Sequence, residues 1–418
     1  MKKILLLLSA WTAGFSAFAA TEVQFTNKVF ADDTVLHHYE YKYIDNDGDR
    51  HSDSETAHDF PALKERMQAE IKTDRVDAMV KATVALDDYN YRDFGFKGVL
   101  NDWYVEFRPI PSILLGMHDE INTTGSYLPI YDGNMANGNI GSHGFTFVYV
   151  PAAVEGKLRL GATVPFSFSD EDDEYYAINW LYNDSAEKEH LNAGIGAIFT
   201  QEYFEIGGSI KDILEDDYRS FGAYIYLPGL FGNVPRLTLG AGFNHGSKAG
   251  VGIGDLISFK GNIYDSADGE TEWNLEDEGC TITSGFWGMT HGVWGKNLLN
   301  AAATYKADAF TLVLEMVSNF FEDGKANKVS KYDLYSGVAV SFTLADKLTA
   351  TATGKLLHDF SDDSDDYGDT AEDFFFGAFN LDYEINKQNT VGVGIETGIC
   401  DKDWSIALPA YWKYTFSK

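Results

Sequence analysis

Apolar and polar positions alternate with a period of two along much of this 418-residue chain. Val76, Ala78, Val80, Ala82, Val84 and Leu86 fall on one side of a predicted strand, and Asp77, Met79, Lys81, Thr83 and Ala85 on the other. Trp103, Val105 and Phe107 alternate in the same way with Tyr104, Glu106 and Arg108. So do Leu158, Leu160, Ala162, Val164, Phe166 and Phe168 with Lys157, Arg159, Gly161, Thr163, Pro165 and Ser167. The last segment sets Trp404, Ile406, Leu408, Ala410, Trp412, Tyr414 and Phe416 against Ser405, Ala407, Pro409, Tyr411, Lys413, Thr415 and Ser417. A soluble β-sandwich alternates too. Here, charges of both signs recur on the second face of strand after strand, which suits a wet interior. A final strand ending in a cluster of rings suits one that pairs with the first strand and faces lipid.

Connections between these segments alternate in character. Long acidic or Gly-rich stretches occupy 44–62, 87–98, 119–143, 170–189, 212–218, 245–295, 321–332, 359–373 and 399–403. Tight turns fall at Thr73–Arg75, Pro109–Pro111, Ala152–Gly156, Thr200–Glu202, Gly229–Val234, Ala307–Asp308, Ala345–Lys347 and Asn386–Gln388. Nine long and eight short connections give about 18 strands, with 16 as the lower bound. The fold class is all-β: a transmembrane, antiparallel up-and-down β-barrel of about 16–18 strands, with long extracellular loops and short periplasmic turns. Met1-Lys-Lys, an apolar stretch from Ile4 to Ala17 and the small-x-small site Ala17-Phe18-Ala19 predict a signal peptide over 1–19. Residues 20–418 then form one barrel domain. No later stretch reaches the ~18 uncharged apolar residues of a membrane helix.

Charge narrows the partners. There are 64 Asp and Glu against 32 Lys and Arg, a formal net charge of −32, which repels nucleic acid and removes it as a partner. The acids cluster in Asp170–Glu174, Glu215–Asp217 and Asp362–Asp366, each between strand patterns and so in solvent.

Trp103-Tyr-Val-Glu-Phe-Arg-Pro109, its tight turn and Ser112-Ile-Leu-Leu-Gly-Met-His-Asp119 resemble an early hairpin of Gram-negative outer-membrane porins. The connection over 119–143 matches the position of the loop that folds inward and narrows the pore in that family. Two departures stand out: Ser417-Lys418 follow the terminal aromatic Phe416, and Tyr411 stands where a glycine is common. The resemblance implies an outer-membrane location in a Gram-negative bacterium, trimers, and a passive channel for small hydrophilic solutes and ions. Acidity at the mouth adds a mild cation preference. A substrate-specific channel for carbohydrate or another nutrient is the alternative, and a non-channel surface barrel such as an adhesin is the second. Pore-lining candidates are Lys72, Lys81, Tyr104, Glu106, Arg108, Lys157 and Arg159, with Asp119, Glu120 and Asp132 on the inward loop facing them. Further interior acids are expected at Glu205, Glu315, Asp382, Glu384 and Glu396.

Other constellations carry less. Asp45, Asp47 and Asp49 form a calcium-loop-like run, but the sixth-position glycine and flanking helices are missing. Loose bridging by Ca2+ to other loops or to lipopolysaccharide phosphates is the simpler reading, and no dedicated cofactor is expected. Cys280 and Cys400 both fall in predicted outer loops of an exported chain, where a disulfide is one of two open outcomes. Tyr127, Tyr131, Trp273, Trp287 and Trp294 lie in long connections, as loop packing or as rings that guide a sugar. No nucleophile, base and orienting acid share a motif context, so the chain is not expected to be an enzyme.

Overall fold

The computed structural model describes residues 22–44, 50–57, 62–88, 94–122, 139–154, 157–165, 193–214, 216, 219–230, 236–247, 251–257, 291–319, 333–358, 360, 373–400 and 403–417. The strands are β1 (Glu22–Ile44), β2 (Arg50–Ala57), β3 (Ala62–Lys72), β4 (Val76–Asp88), β5 (Phe94–Ile110), β6 (Ile113–Asn122) and β7 (Asn139–Tyr149). They continue with β8 (Leu158–Pro165), β9 (Gly194–Thr200), β10 (Glu205–Lys211), β11 (Ser220–Leu230), β12 (Arg236–Gly246), β13 (Val251–Ile257) and β14 (His291–Gly295). The last are β15 (Asn297–Lys306), β16 (Phe310–Ser318), β17 (Leu334–Ala345), β18 (Leu348–His358), β19 (Phe374–Asn386), β20 (Asn389–Cys400) and β21 (Asp403–Ser417).

From β3 to β12 and from β15 to β21 each strand pairs antiparallel with the next, β12 pairs with β15, and β21 pairs with β1 from Thr26–Ser417 to Glu40–Trp404. The result is a closed 18-strand barrel, the number and topology that the alternation and connection lengths predict. β2 and β3 both pair with β1, β2 with its far half and β3 with its near half, so together they take the second place in the circuit. β13 and β14 pair only with each other and stand outside the circuit.

The tight turns are set locally. Thr73 Oγ1 accepts from the N–H of Arg75 (3.2 Å) and Val76 (2.8 Å), and Asn386 Oδ1 accepts from the N–H of Gln388 (2.9 Å) and Asn389 (3.0 Å). Side-chain oxygens thereby satisfy backbone donors that the reversal leaves without a ladder partner. Pro409 has no N–H to give, and the β1–β21 ladder slips beside it, between Thr34 and His37 on β1, while the register with β20 is kept.

Exposure separates the two faces. On β7, Phe145, Phe147 and Tyr149 are 52%, 45% and 41% exposed, while Thr146 and Val148 between them are buried. Val164, Phe243, Leu314, Val338, Phe379, Val393 and Leu408 extend this exposed apolar surface around the barrel. In water such a continuous belt would drive aggregation; against hydrocarbon it is the required surface. Rings gather near the short-turn end: Tyr305–Phe310 (5.7 Å between centroids), Phe310–Phe342 (6.2 Å), Phe199–Phe204 (6.1 Å) and Trp412–Tyr414 (6.3 Å). Amphipathic rings favour that depth, at the headgroup level. Trp103 lies well inside β5 and takes no part in this girdle.

Several boundaries differ from the sequence pattern. Connection 44–62 contains β2, and 245–295 contains the end of β12 together with β13 and β14. Trp294 is thus a strand residue. Asp119 and Glu120 belong to β6, where Glu120 pairs with Ser142, so the connection after that hairpin begins at residue 123. Cys400 closes β20 opposite Asp403, and is not a loop residue. One physical reason covers these cases: strands that rise beyond the hydrocarbon keep their ladder but need no apolar face. β1 has 23 residues, where a tilted strand needs only ~9–11 to cross.

Substituting the exterior Val338 by Arg is expected to cost about 2–4 kcal/mol of barrel stability, whereas Thr353→Arg on the interior face of β18 costs little. Urea titrations of the two variants in lipid vesicles check this difference.

Candidate functional site: the barrel interior

Register fixes which side chains share the inner face. Near the short-turn end, β3, β4 and β5 bring together Glu70, Lys72, Asp77, Tyr104, Glu106 and Arg108. Tyr104 Oη donates to Asp77 Oδ1 (3.1 Å) and Glu70 Oε1 (3.2 Å). Lys72 Nζ lies 2.7 Å from Glu70 and 3.6 Å from Asp77; Arg108 lies 3.0 Å from Glu106 and 3.9 Å from Asp77. Two cations therefore offset two of three carboxylate charges on one patch of wall, and Asp77, 7% exposed in its side chain, is the shared partner. Burial of an acid is tolerated when donors surround it in this way.

Four of the expected lining residues, Lys72, Tyr104, Glu106 and Arg108, thus meet in one cluster. Lys81 sits higher on the inner face of β4, opposite Asp102. Arg159 stands on the inner face of β8, a separate wall, opposite Ile198. Lys157 lies in the short turn before β8, where its carbonyl accepts from Thr200 N–H at 2.8 Å. Glu70 and Asp77 were not among the expected lining set. The turn at Thr73–Arg75 announces them, since a tight hairpin places Lys72 opposite Asp77. Asp132, Asp45, Asp47, Asp49, Cys280, Tyr127, Tyr131, Trp273 and Trp287 lie outside the described residues.

A repeated local arrangement shapes the interior. Tyr224 of β11 lies over Gly207 of β10, where any Cβ would collide with the ring, and donates to Glu205 Oε1 at 3.0 Å. Glu205 also accepts from Thr200 Oγ1 at 2.9 Å. Tyr411 of β21 lies over Gly392 of β20 and donates to Asp382 of β19. The glycine missing at position 411 is in effect supplied by the neighbouring strand, which lets the ring lie flat on the wall. Tyr335 of β17 reaches Glu315 Oε2 of β16 at 3.5 Å.

On the far side of the barrel the inner wall is packed. One cross-strand row runs Asn300, Val317, Tyr335, Leu357, Phe374 across β15–β19, and every member has 0% exposure. The row below it runs Ala302, Glu315, Gly337, Lys355, Phe376, with Glu315 4% and Phe376 8% exposed. Lys355 lies within electrostatic reach of Glu315 and Glu396, and its Nζ stands 5.9 Å from the centre of the Phe376 ring. The alternation marks Glu315 and Glu396 as interior. Lys355 and the apolar members escaped it, because an apolar residue on the polar face reads as noise in one strand and becomes a row only across five.

An apolar belt outside, a charged interior inside and 18 strands closed between short turns and long connections define a porin-type outer-membrane barrel. No protein-family model and no curated protein matches the sequence. Solved structures do. OccAB3 of Acinetobacter baumannii superposes with a TM-score of 0.53 at 11% identity, over 96% of this chain and 100% of that one. OccAB4 of the same organism gives 0.51 at 12% identity, over 95% and 98%. OpdL of Pseudomonas aeruginosa gives 0.50 at 10% identity, over 94% and 99%. At these identities the shared property is the fold, here that of outer-membrane porins.

Gly392→Ala is expected to destabilise the barrel by about 1–3 kcal/mol, because the new methyl meets the Tyr411 ring. Adding Tyr411→Ala should recover part of that loss, and a double-mutant cycle on the heat-induced electrophoretic shift measures the coupling.

Proposed function

We propose that this barrel is a substrate-specific outer-membrane channel for a small hydrophilic solute, and not an open general pore. The carrying observation is the interior row from Asn300 to Phe374, which has no solvent exposure. A barrel of 16–18 strands with a bare wall encloses a wide aqueous tube. Packed side chains along one wall reduce that tube to a path, and fixed groups of both signs along it select by shape and by placement of charge. The kinship of fold with OccAB3 and OccAB4, channels of the substrate-specific kind, supports the same reading.

Lys72, Lys81, Tyr104, Glu106, Arg108 and Arg159 border the path, and Lys157 stands at its short-turn exit. Asp119, Glu120 and Asp132 belong to the narrowing on the β6 side. The described inner wall interleaves Lys and Arg with Asp and Glu, so the formal charge of −32 does not carry over to it. Cation preference then rests on the acids of the long connections at the mouth. Lipopolysaccharide contact through Ca2+ and assembly as trimers belong to the same reading; light scattering of the detergent-solubilised protein with and without chelator distinguishes them.

Two outcomes are expected from single-channel recording of the refolded protein in a planar bilayer. Discrete current steps are blocked saturably by the cognate solute, found by screening small polar nutrients, whereas a general porin shows only linear reduction. Arg108→Glu and Arg159→Glu shift the reversal potential under a salt gradient toward cations. A folded barrel that passes no current would return the chain to the non-channel surface barrels.

A further inference from the structure

The packed wall needs a cover, and one described element is placed to supply it. β14 is joined to β15 through Lys296 alone. If β14 ran on straight above the rim it would neighbour only the extensions of β12 and β16, yet it lies against β17, two strands away. Its Val293 has 0% exposure. β13, paired to β14 through Gly252–Trp294 and Ile253–Val293, approaches β12 and β15. The hairpin therefore crosses the ends of β15 and β16.

Exposure tells which side it crosses on. At the mouth end the exterior residues Leu299, Met316 and Ser336 keep intermediate exposure and Phe375 is 43% exposed, with Ser318 at the rim covered. Interior residues at the same end, Leu298, Val317 and Tyr335, are at 0%. A cover that closes the inner face completely and leaves most of the outer face partly open lies inside the barrel mouth.

We propose that the β13–β14 hairpin is folded into the mouth over the β15–β18 wall, and that it is the element that narrows the channel from that side. This rests on the channel reading above and extends it. The connection after β6 is the one that porin resemblance marks for inward folding. The hairpin is a second, separate element on the opposite wall, since β5 and β16 stand about half a circuit apart. Val293 is its anchor: an apolar side chain at 0% exposure, on the strand that lies against β17, gains burial and excludes water from the wall. Solute selection then depends on hairpin residues as well as on the wall.

Two measurements decide it, both in a background with Cys280→Ser and Cys400→Ser. Val293→Cys in the refolded barrel is expected to react with a membrane-impermeant methanethiosulfonate on the order of 100-fold more slowly than Asp346→Cys in an exposed turn. Equal rates would overturn the proposal, and this readout needs no current, so it stands even if the channel reading fails. Replacing residues 251–295 by a short Gly-Ser turn is expected to raise single-channel conductance about twofold or more and to abolish block by the solute. A folded deletion with unchanged conductance and block would equally overturn it. If the deletion does not fold, the cysteine rates decide alone.

Discussion

Hydrocarbon offers a peptide group no hydrogen-bond partner, and the rest of this structure follows from that constraint. Each unpaired N–H or C=O in the membrane core costs several kcal/mol, so a chain that crosses as strands must close on itself. The β1–β21 ladder performs the closure. It is long enough to absorb the one place where it cannot be regular, at Pro409, by slipping register beside a residue with no donor. The short turns bring side-chain oxygens to the reversals for the same reason, at the end of the barrel where the connections have too few residues to satisfy their own backbone.

Closure creates two surfaces with different demands. The outer one needs only to be apolar, and valine, phenylalanine, leucine and isoleucine serve almost interchangeably along it. Within the inner one every position has a particular neighbour. Tyrosines lie on glycines and donate to carboxylates, Tyr224 to Glu205 on the same strand as its glycine and Tyr411 to Asp382 one strand further on. Asp77 is shared by Tyr104, Lys72 and Arg108. These contacts bind strands to each other through side chains as well as backbone. They also leave polar groups fixed along a path where a solute would pass.

The outer surface was largely legible in the sequence, because lipid imposes a period of two wherever it touches the chain. Strands such as Val76–Asp88, with Val80, Val84 and Leu86 on one face, could be placed to within a few residues. Legibility ended where the membrane does: Arg50–Ala57 and Asp119–Glu120 are paired strand with no apolar face to betray them. The interior cluster was legible in part. Tyr104, Glu106 and Arg108 alternate visibly, whereas their partners Glu70 and Asp77 depend on which residues a turn and a neighbouring strand bring level.

Strand number, closure and the sign of each face were thus decided by the sequence alone. Each follows from local alternation, turn chemistry and charge, which need no knowledge of distant residues. The packed row from Asn300 to Phe374, the Glu315–Lys355–Glu396 neighbourhood and the inward course of β13 and β14 were decided only by tertiary structure. Their members are up to about a hundred residues apart in the chain, and they become neighbours only because each strand contributes a single residue to the same level of the barrel wall.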